Sequence, residues 1–288
     1  LEKLGIQCRV SNPIIPFLST VQNSRDHRKI CVIDGKVAFT GGGNLADEYA
    51  NEITRFGHWK DTAIMLKGDA VQSFTMLFLE MWAVNQMEPA DCQNYLTPKH
   101  VVPDPPHGYV IPYGDHPYDN ENVGEEVYFH ILNHSKKYVH IMTPYLILDS
   151  EMITTLTRAA KSGIEVIIIM PHIPDKWYAF VLAHTYYKEL IQAGVSIYEY
   201  TPGFVHAKVF VSDDDTATVG TINLDYRSLY LHFECGAYIY DHPVVADIEQ
   251  DFQETLKKCQ KISLTEVENR PVTYKVMGQI LRLIAPLM

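Results

Sequence analysis

The residues with the most chemistry in this chain are a histidine and a lysine two positions apart, and the pair occurs twice. His206 and Lys208 lie in FVHAKVFVSD, and His27 and Lys29 lie in DHRKICVIDG. Alternate residues of an extended strand project to one face, so each His stands beside its Lys, with room for a phosphate between them. The copies agree further along: Asp34, Gly41 and Asn44 stand at the offsets of Asp213, Gly220 and Asn223, with 17 positions from His to Asn in both. One such match is weak, but two that also share the Gly and Asn offsets form a strong signal. A phosphodiester is anionic and resists attack. Without a metal it requires a neutral nucleophile, cations on its non-bridging oxygens and an acid for the leaving alkoxide. Two His and two Lys supply that set, whereas His100, His130, His140 and His184 read as satisfied core histidines.

The elements that must position these groups follow from pattern. Residues 25–40 read as a hairpin, RKICVI and KVAFT, turning at Asp34-Gly35. Asp34 sits at an odd offset from His27 and cannot share its strand face, so a turn-capping or ion-paired role competes with direct chemistry, and the same holds for Asp213. Gly41, Gly42 and Gly43 then allow a close backbone approach, and Asn44 can donate an amide hydrogen to a phosphoryl oxygen. GHWKDTAIML reads as a strand. A helix from about Ala70 to Gln86 follows, with Phe74, Leu77, Phe78, Met81 and Trp82 in the core. Residues 88–124 are rich in Pro, Gly, Asp and Asn and read as a linker.

Beyond the linker the pattern is helix 125–137, strand 138–147, helix 150–161 capped by Asp149 or Ser150 and stopped at Gly163, then strand 164–170. That is a βαβ unit, hence an α/β layer with helices on both faces. PHIPDKWYAF follows a strand's carboxyl end, where ligand loops sit. Its aromatics could line a lipid-glycerol pocket, or Trp177 and Phe180 could start a core helix. Near the end, Val276, Ile280, Leu283, Ile284 and Leu287 share one helical face, which fits either a membrane surface or packing on the domain. The chain divides into a first repeat (1–87), the linker (88–124), a second repeat (125–262) and a C-terminal amphipathic helix (263–288).

With 288 residues, 47% of them hydrophobic, the chain can build two modest domains or one large one. A formal net charge of −11 argues against a nucleic-acid enzyme, whose backbone binding needs clustered Lys and Arg. Cys8, Cys31, Cys92, Cys235 and Cys259 are odd in number with no CxxC pair, so they read as reduced, buried and cytosolic, with neither a disulfide framework nor a zinc site. No apolar run is long enough to span a bilayer. LEKLGIQCRVSNP matches ELIQAGVSIYEYTP, so the first repeat is read as lacking its front.

The doubled HxKxxxxD with GGGN and GTIN behind it resembles the phospholipase D superfamily. HRKICVIDGK, GHWKD, TPYLI, GVSIYEYTPGFVHAK and GTINLDYRS resemble its bacterial cardiolipin synthases, over nearly the whole chain. Gly43 departs from the family, which usually carries a larger residue there, and is expected to loosen the turn. The resemblance implies an α/β fold of two similar phospholipase D-type lobes, with mixed sheets flanked by helices and the active site at their pseudo-two-fold interface. It also implies a catalytic set of His27, Lys29, Asp34, His206, Lys208, Asp213 and Glu234. His27 would be the nucleophile that becomes a phosphohistidine, and His206 the acid and base. Gly41, Gly42, Asn44, Asp61, Thr221 and Asn223 would bind substrate.

Glu234 is expected to orient His206, with Asp61 as its first-half counterpart; a structural pairing of Glu234 with Arg227 is the competing reading. No metal or other cofactor is expected. The implied partners are phosphatidylglycerol, anionic lipids and a membrane surface, not nucleic acid. The implied location is the bacterial cell membrane, with anchors upstream and the catalytic part in the cytosol. Three functions are open: a phosphatidyltransferase making cardiolipin and glycerol, a phospholipase D or other phosphodiesterase using water, and a lipid-binding module without activity.

Overall fold

A computed structural model describes residues 1–11, 24–84, 93–96 and 107–287. The first half contributes β1 (Ile30–Ile33), β2 (Val37–Gly41), β3 (His58–Lys60), β4 (Ala63–Lys67) and α1 (Ala70–Val84). Then come β5 (Tyr109–Asp115), α2 (Val123–His134), β6 (Tyr138–Met142), α3 (Ser150–Lys161), β7 (Glu165–Pro171), α4 (Trp177–Ala193), β8 (Ser196–Tyr200) and β9 (Gly203–Val205). The chain continues through β10 (Val209–Ser212), β11 (Thr216–Gly220), α5 (Tyr226–Tyr230), β12 (Glu234–Tyr240), α6 (Val244–Leu256), β13 (Cys259–Lys261), α7 (Leu264–Glu268) and α8 (Val272–Leu283).

Strands β6, β7 and β8 pair in parallel, joined by crossover helices α3 and α4, as the continuous apolar run of EVIIIMP requires. Asp149 caps α3 by accepting from the Met152 amide at 2.7 Å, and Gly163 takes φ 91° just past its end. Antiparallel strands complete a mixed sheet in the order β13-β8-β7-β6-β10-β11-β12-β5. The first-half hairpin forms as expected, with Ile33 opposite Val37, and β2 pairs on with β4.

The large sheet is covered on both faces. On one, Leu132, Leu156, Leu182 and Tyr186 of the helices pack on Val139, Ile141 and Ile168. On the other, the first-half residues Ala38, Ile64, Leu66 and Phe74 share a core with Val205, Val209, Val219 and Ala237 of the second half. Each large side chain buried there contributes about 1.5–3 kcal/mol, so the two halves are bound by one apolar layer.

Several readings change. Residues 109–115, inside the expected linker, form edge strand β5 on β12, because Tyr109, Ile111 and Tyr113 alternate along it. On α1, Phe74 is buried, but Phe78 is 49% exposed and Trp82 is half-buried beneath the Arg9 guanidinium. Helix α8 packs on α4 through Leu281 and through Gly278 beside Thr185. It leaves Val276, Ile280, Leu283 and Ile284 exposed, so the apolar stripe faces away from the domain. Cys235 is buried and Cys259 half-buried, whereas Cys8 and Cys31 are exposed; Cys92 and His100 lie outside the described residues. No described helix is long and apolar enough to cross a membrane.

The two halves approach each other closely at Gly42. A Cβ built there would stand 2.1 Å from Asp61 Oδ1 and 2.6 Å from the His206 carbonyl oxygen, whereas one at Gly43 would meet only Asp61 Oδ2, at 3.9 Å. Gly42→Ala is therefore expected to destabilise by about 2–3 kcal/mol in urea melts and Gly43→Ala by less than about 1 kcal/mol. Equal losses would contradict this packing.

Candidate active site

Each catalytic strand enters the site by pairing with the other half of the chain. The His27 amide donates to the Phe233 carbonyl at 2.9 Å and the Phe233 amide donates back to Arg25 at 2.8 Å. Glu234, the next residue, thereby comes within 2.9 Å of His27 Nδ1. In the mirrored arrangement β9 runs parallel to β3, and the His206 amide donates to the Lys60 carbonyl at 2.7 Å. Asp61, which breaks the expected strand into β3 and β4, then reaches His206 Nδ1 at 2.9 Å.

Glu234 and Asp61 are thus counterparts, as the sequence suggested, but they are exchanged. Glu234 bonds to His27, not His206, and Asp61 bonds to His206, not His27. The competing partner for Glu234, Arg227, is not in contact with it. With each Nδ1 held by a carboxylate, Nε2 is the nitrogen of both rings that faces no carboxylate.

Lys208 is buried against the His206 ring, and Lys29 is half-buried on the His27 backbone. Lys29 Nζ donates to the His27 carbonyl at 2.6 Å, and Lys208 Nζ lies 3.0 Å from His206 Nε2. Burial pulls Lys29 down to about 8 and Lys208 to about 7, against the pull of Glu234 and Asp61. Burial and then the Lys208 charge push His206 down to about 3, so its ring is neutral in the free site. Burial would raise Glu234, but the facing His27 and hydrogen bonds to it, including the Thr221 hydroxyl, hold it at about 2. Burial opposes the ionisation of Asp61 too, yet the His206 hydrogen bond and the Lys208 charge keep it below the usual carboxylate range.

The remaining expected site residues divide. Asn223 is buried with its amide oxygen unpartnered, whereas Asn44 is exposed and donates to the Tyr49 hydroxyl at 2.7 Å. Gly41 pairs with Ala63 in the sheet, Gly42 packs on Asp61, and Thr221 supports Glu234, so these three shape the protein scaffold and not a phosphate cradle. Asp34 and Asp213 occupy turns with φ 52° and 54°. Asp213 accepts the amides of Lys136, Lys137 and Tyr138, at the far end of β10 from His206, so neither aspartate reaches the chemistry.

Sequence reasoning missed His232, whose Nδ1 lies 3.6 Å from Glu234 Oε1 and which, with His27 and Glu234, forms a three-residue cluster of metal-ligand type. It also missed the aromatic wall of Trp59 and Tyr49, whose rings lie 5.1 and 5.2 Å from that of His206. His232 and Tyr49 carry no repeat or motif signal, whereas Trp59 stands inside GHWKD. His140 and His184 are core histidines held by Glu249 and Glu199, but His130 is exposed and stacks on His134.

A doubled His-Lys site built where the two halves of this α/β fold meet can be set beside known proteins, and the chain is similar to the phospholipase D superfamily. Within it the sequence is similar to cardiolipin synthases. Residues 128–256 match the family described as "Cardiolipin synthase, PLD-like domain". A cardiolipin synthase of Geobacillus kaustophilus is 36% identical over 289 aligned residues, covering 100% of this chain and 57% of that protein. An uncharacterized protein of Streptococcus mutans is 55% identical and is covered over 62% of its length. The chain therefore spans about three-fifths of the curated relatives it matches. A phosphatidylserine synthase of Haemophilus influenzae shares the fold, with a TM-score of 0.68 at 16% identity over 91% of this chain and 68% of that one.

The lysines carry a stability test. Lys208 is protonated up to about pH 7 when folded and to 10.5 when unfolded, so the unfolded chain holds the extra proton between those values and stability rises with pH across that window. Lys208→Met is expected to abolish turnover yet stabilise the fold by about 1–3 kcal/mol at pH 7. The gain should shrink toward pH 10.5 in denaturant melts. A variant less stable than wild type at pH 7 would contradict the burial cost.

Proposed function

We propose that this chain is the catalytic part of a phosphatidyltransferase that converts two phosphatidylglycerols into cardiolipin and glycerol. The observation that carries the reading is the pair of crossed units, His27 with Glu234 and His206 with Asp61, the first with half-buried Lys29 and the second with buried Lys208. The names of its relatives, cardiolipin synthase and phosphatidylserine synthase, support a phospholipid substrate. So do Leu45, Ile53 and Ile173 on loops and Trp177 at the start of α4, large apolar residues left exposed.

In this mechanism Lys29, Lys208 and Asn223 hold the phosphoryl oxygens. The His27 Nε2 lone pair forms a bond to phosphorus while the bond to the glycerol oxygen breaks, and His206 Nε2 gives its proton to that oxygen. Glu234 stabilises the charge that grows on His27. His206 then takes the proton of the acceptor alcohol, whose oxygen attacks phosphorus, and the P–N bond electrons return to His27. Burial and the Lys208 charge keep His206 neutral in the free site; the bound phosphodiester offsets that charge and sets its own negative charge beside the ring, so His206 gains its proton as substrate binds. The two ammonium groups supply the charge neutralisation that a divalent ion gives elsewhere, and a phospholipase D reaction differs only in using water as the acceptor.

Two measurements test this. Phosphatidylglycerol given to the full-length protein should yield cardiolipin and glycerol at a rate unchanged by chelator; phosphatidic acid alone, or a loss that Mg²⁺ restores, would contradict the reading. With a phosphodiester carrying a nitrophenolate leaving group, His206→Ala should accumulate phosphohistidine at residue 27, while His27→Ala accumulates none. Label at residue 206 in the wild type would exchange the roles.

A further inference from the structure

A separate cleft of roughly 220 Å³, two ring contacts away from His206, is lined by Tyr145, Ile147, Lys176, Tyr178, Asp225 and Arg227. Three features tie it to the catalytic centre. Asp225 is two residues past Asn223 and close enough that its charge is felt by Lys208. The Tyr145 ring lies 6.4 Å from that of Phe204, which in turn stacks 6.0 Å from the His206 ring. Tyr49, edge-on to His206, lies within electrostatic range of both Tyr145 and Asp175.

The walls are fixed by bonds that leave the cations free. The Tyr145 hydroxyl donates to Asp175 at 2.6 Å, and Asp225 accepts the Ser228 amide at 2.8 Å. Lys176 Nζ rests 4.8 Å over the Tyr145 ring, and among the described residues neither Lys176 nor Arg227 is in an ion pair. Two unpaired cations and two tyrosines around a polar cleft suit an anionic phosphodiester with a polyol attached, and not a bare water.

We infer that this cleft is the acceptor-headgroup site, in which Lys176 and Arg227 hold the unreacting phosphodiester of a second phosphatidylglycerol while its terminal hydroxyl reaches His206. The inference rests on the transferase reading and deepens it. His206 Nε2 takes the hydroxyl proton, the oxygen bonds to phosphorus on His27, and the P–N bond breaks to restore His27. Water and small neutral alcohols make no use of the two cations, so the cleft selects transfer to lipid over hydrolysis.

The test uses the full-length protein on vesicles of phosphatidylglycerol in phosphatidylcholine, with and without ethanol, and compares wild type with Arg227→Gln and Lys176→Gln. Both side chains are exposed, so the variants should fold, and thermal melts check this. The ratio of cardiolipin to phosphatidic acid should fall roughly tenfold in each variant, while the ratio of phosphatidylethanol to phosphatidic acid stays unchanged. Variants that keep the wild-type cardiolipin ratio, or that lose the ethanol and lipid ratios together, would overturn the cleft's role alone. A wild-type protein that makes no cardiolipin would overturn the transferase reading and this inference with it.

Discussion

The site depends on an exchange of carboxylates between the two halves. Glu234 can reach His27 only because Phe233 is laddered to Arg25 and His27, and Asp61 can reach His206 only because Lys60 accepts the His206 amide. Neither half is a complete active site, since each supplies a His, a Lys and the other half's orienting carboxylate. The backbone ladder and the side-chain bond fall on consecutive residues, Phe233 and Glu234 in one case and Lys60 and Asp61 in the other. A slip of a single residue would turn Glu234 or Asp61 to the opposite face and leave a buried histidine unheld.

That constraint explains what surrounds the site. Gly42 has no side chain because Asp61 and the His206 carbonyl occupy the space a Cβ would need. Thr221, fully buried, donates to Glu234 from below and accepts from the Cys235 amide at 3.0 Å, which fixes the start of β12. The shared apolar layer from Phe74 and Ile64 to Val205 and Val219 keeps the halves together while buried Lys208 and half-buried Lys29 sit between them. Those charges work against the fold, and under the proposed function a substrate phosphate offsets them. A site that is electrostatically uncomfortable when empty binds an anion with less reorganisation.

The chemistry of the site was legible in the sequence wherever it was local. His, Lys, Gly and Asn at matching offsets are a period, and a period survives without knowledge of the fold. The βαβ unit from 138 to 171 was legible for the same reason, because EVIIIMP and the Asp149 cap are local signals. The crossing was not. His27 and Glu234 are 207 positions apart and His206 and Asp61 are 145, and no local pattern says which strand a residue will be laddered to. Thr221, Gly41 and Gly42 stand beside the chemistry in sequence but serve the protein's own packing. Strand β5 was hidden inside a Pro- and Gly-rich stretch whose composition outweighed its alternation, and the Asp of each motif was separable from its His by strand parity alone.

Histidine ring nitrogens report the crossed pairing directly. In ¹⁵N-histidine spectra of the ligand-free protein, Glu234→Gln should move the Nδ1 resonance of His27 and leave that of His206 in place, and Asp61→Asn should do the reverse. Spectra in which Glu234→Gln moves His206 and spares His27 would contradict the account.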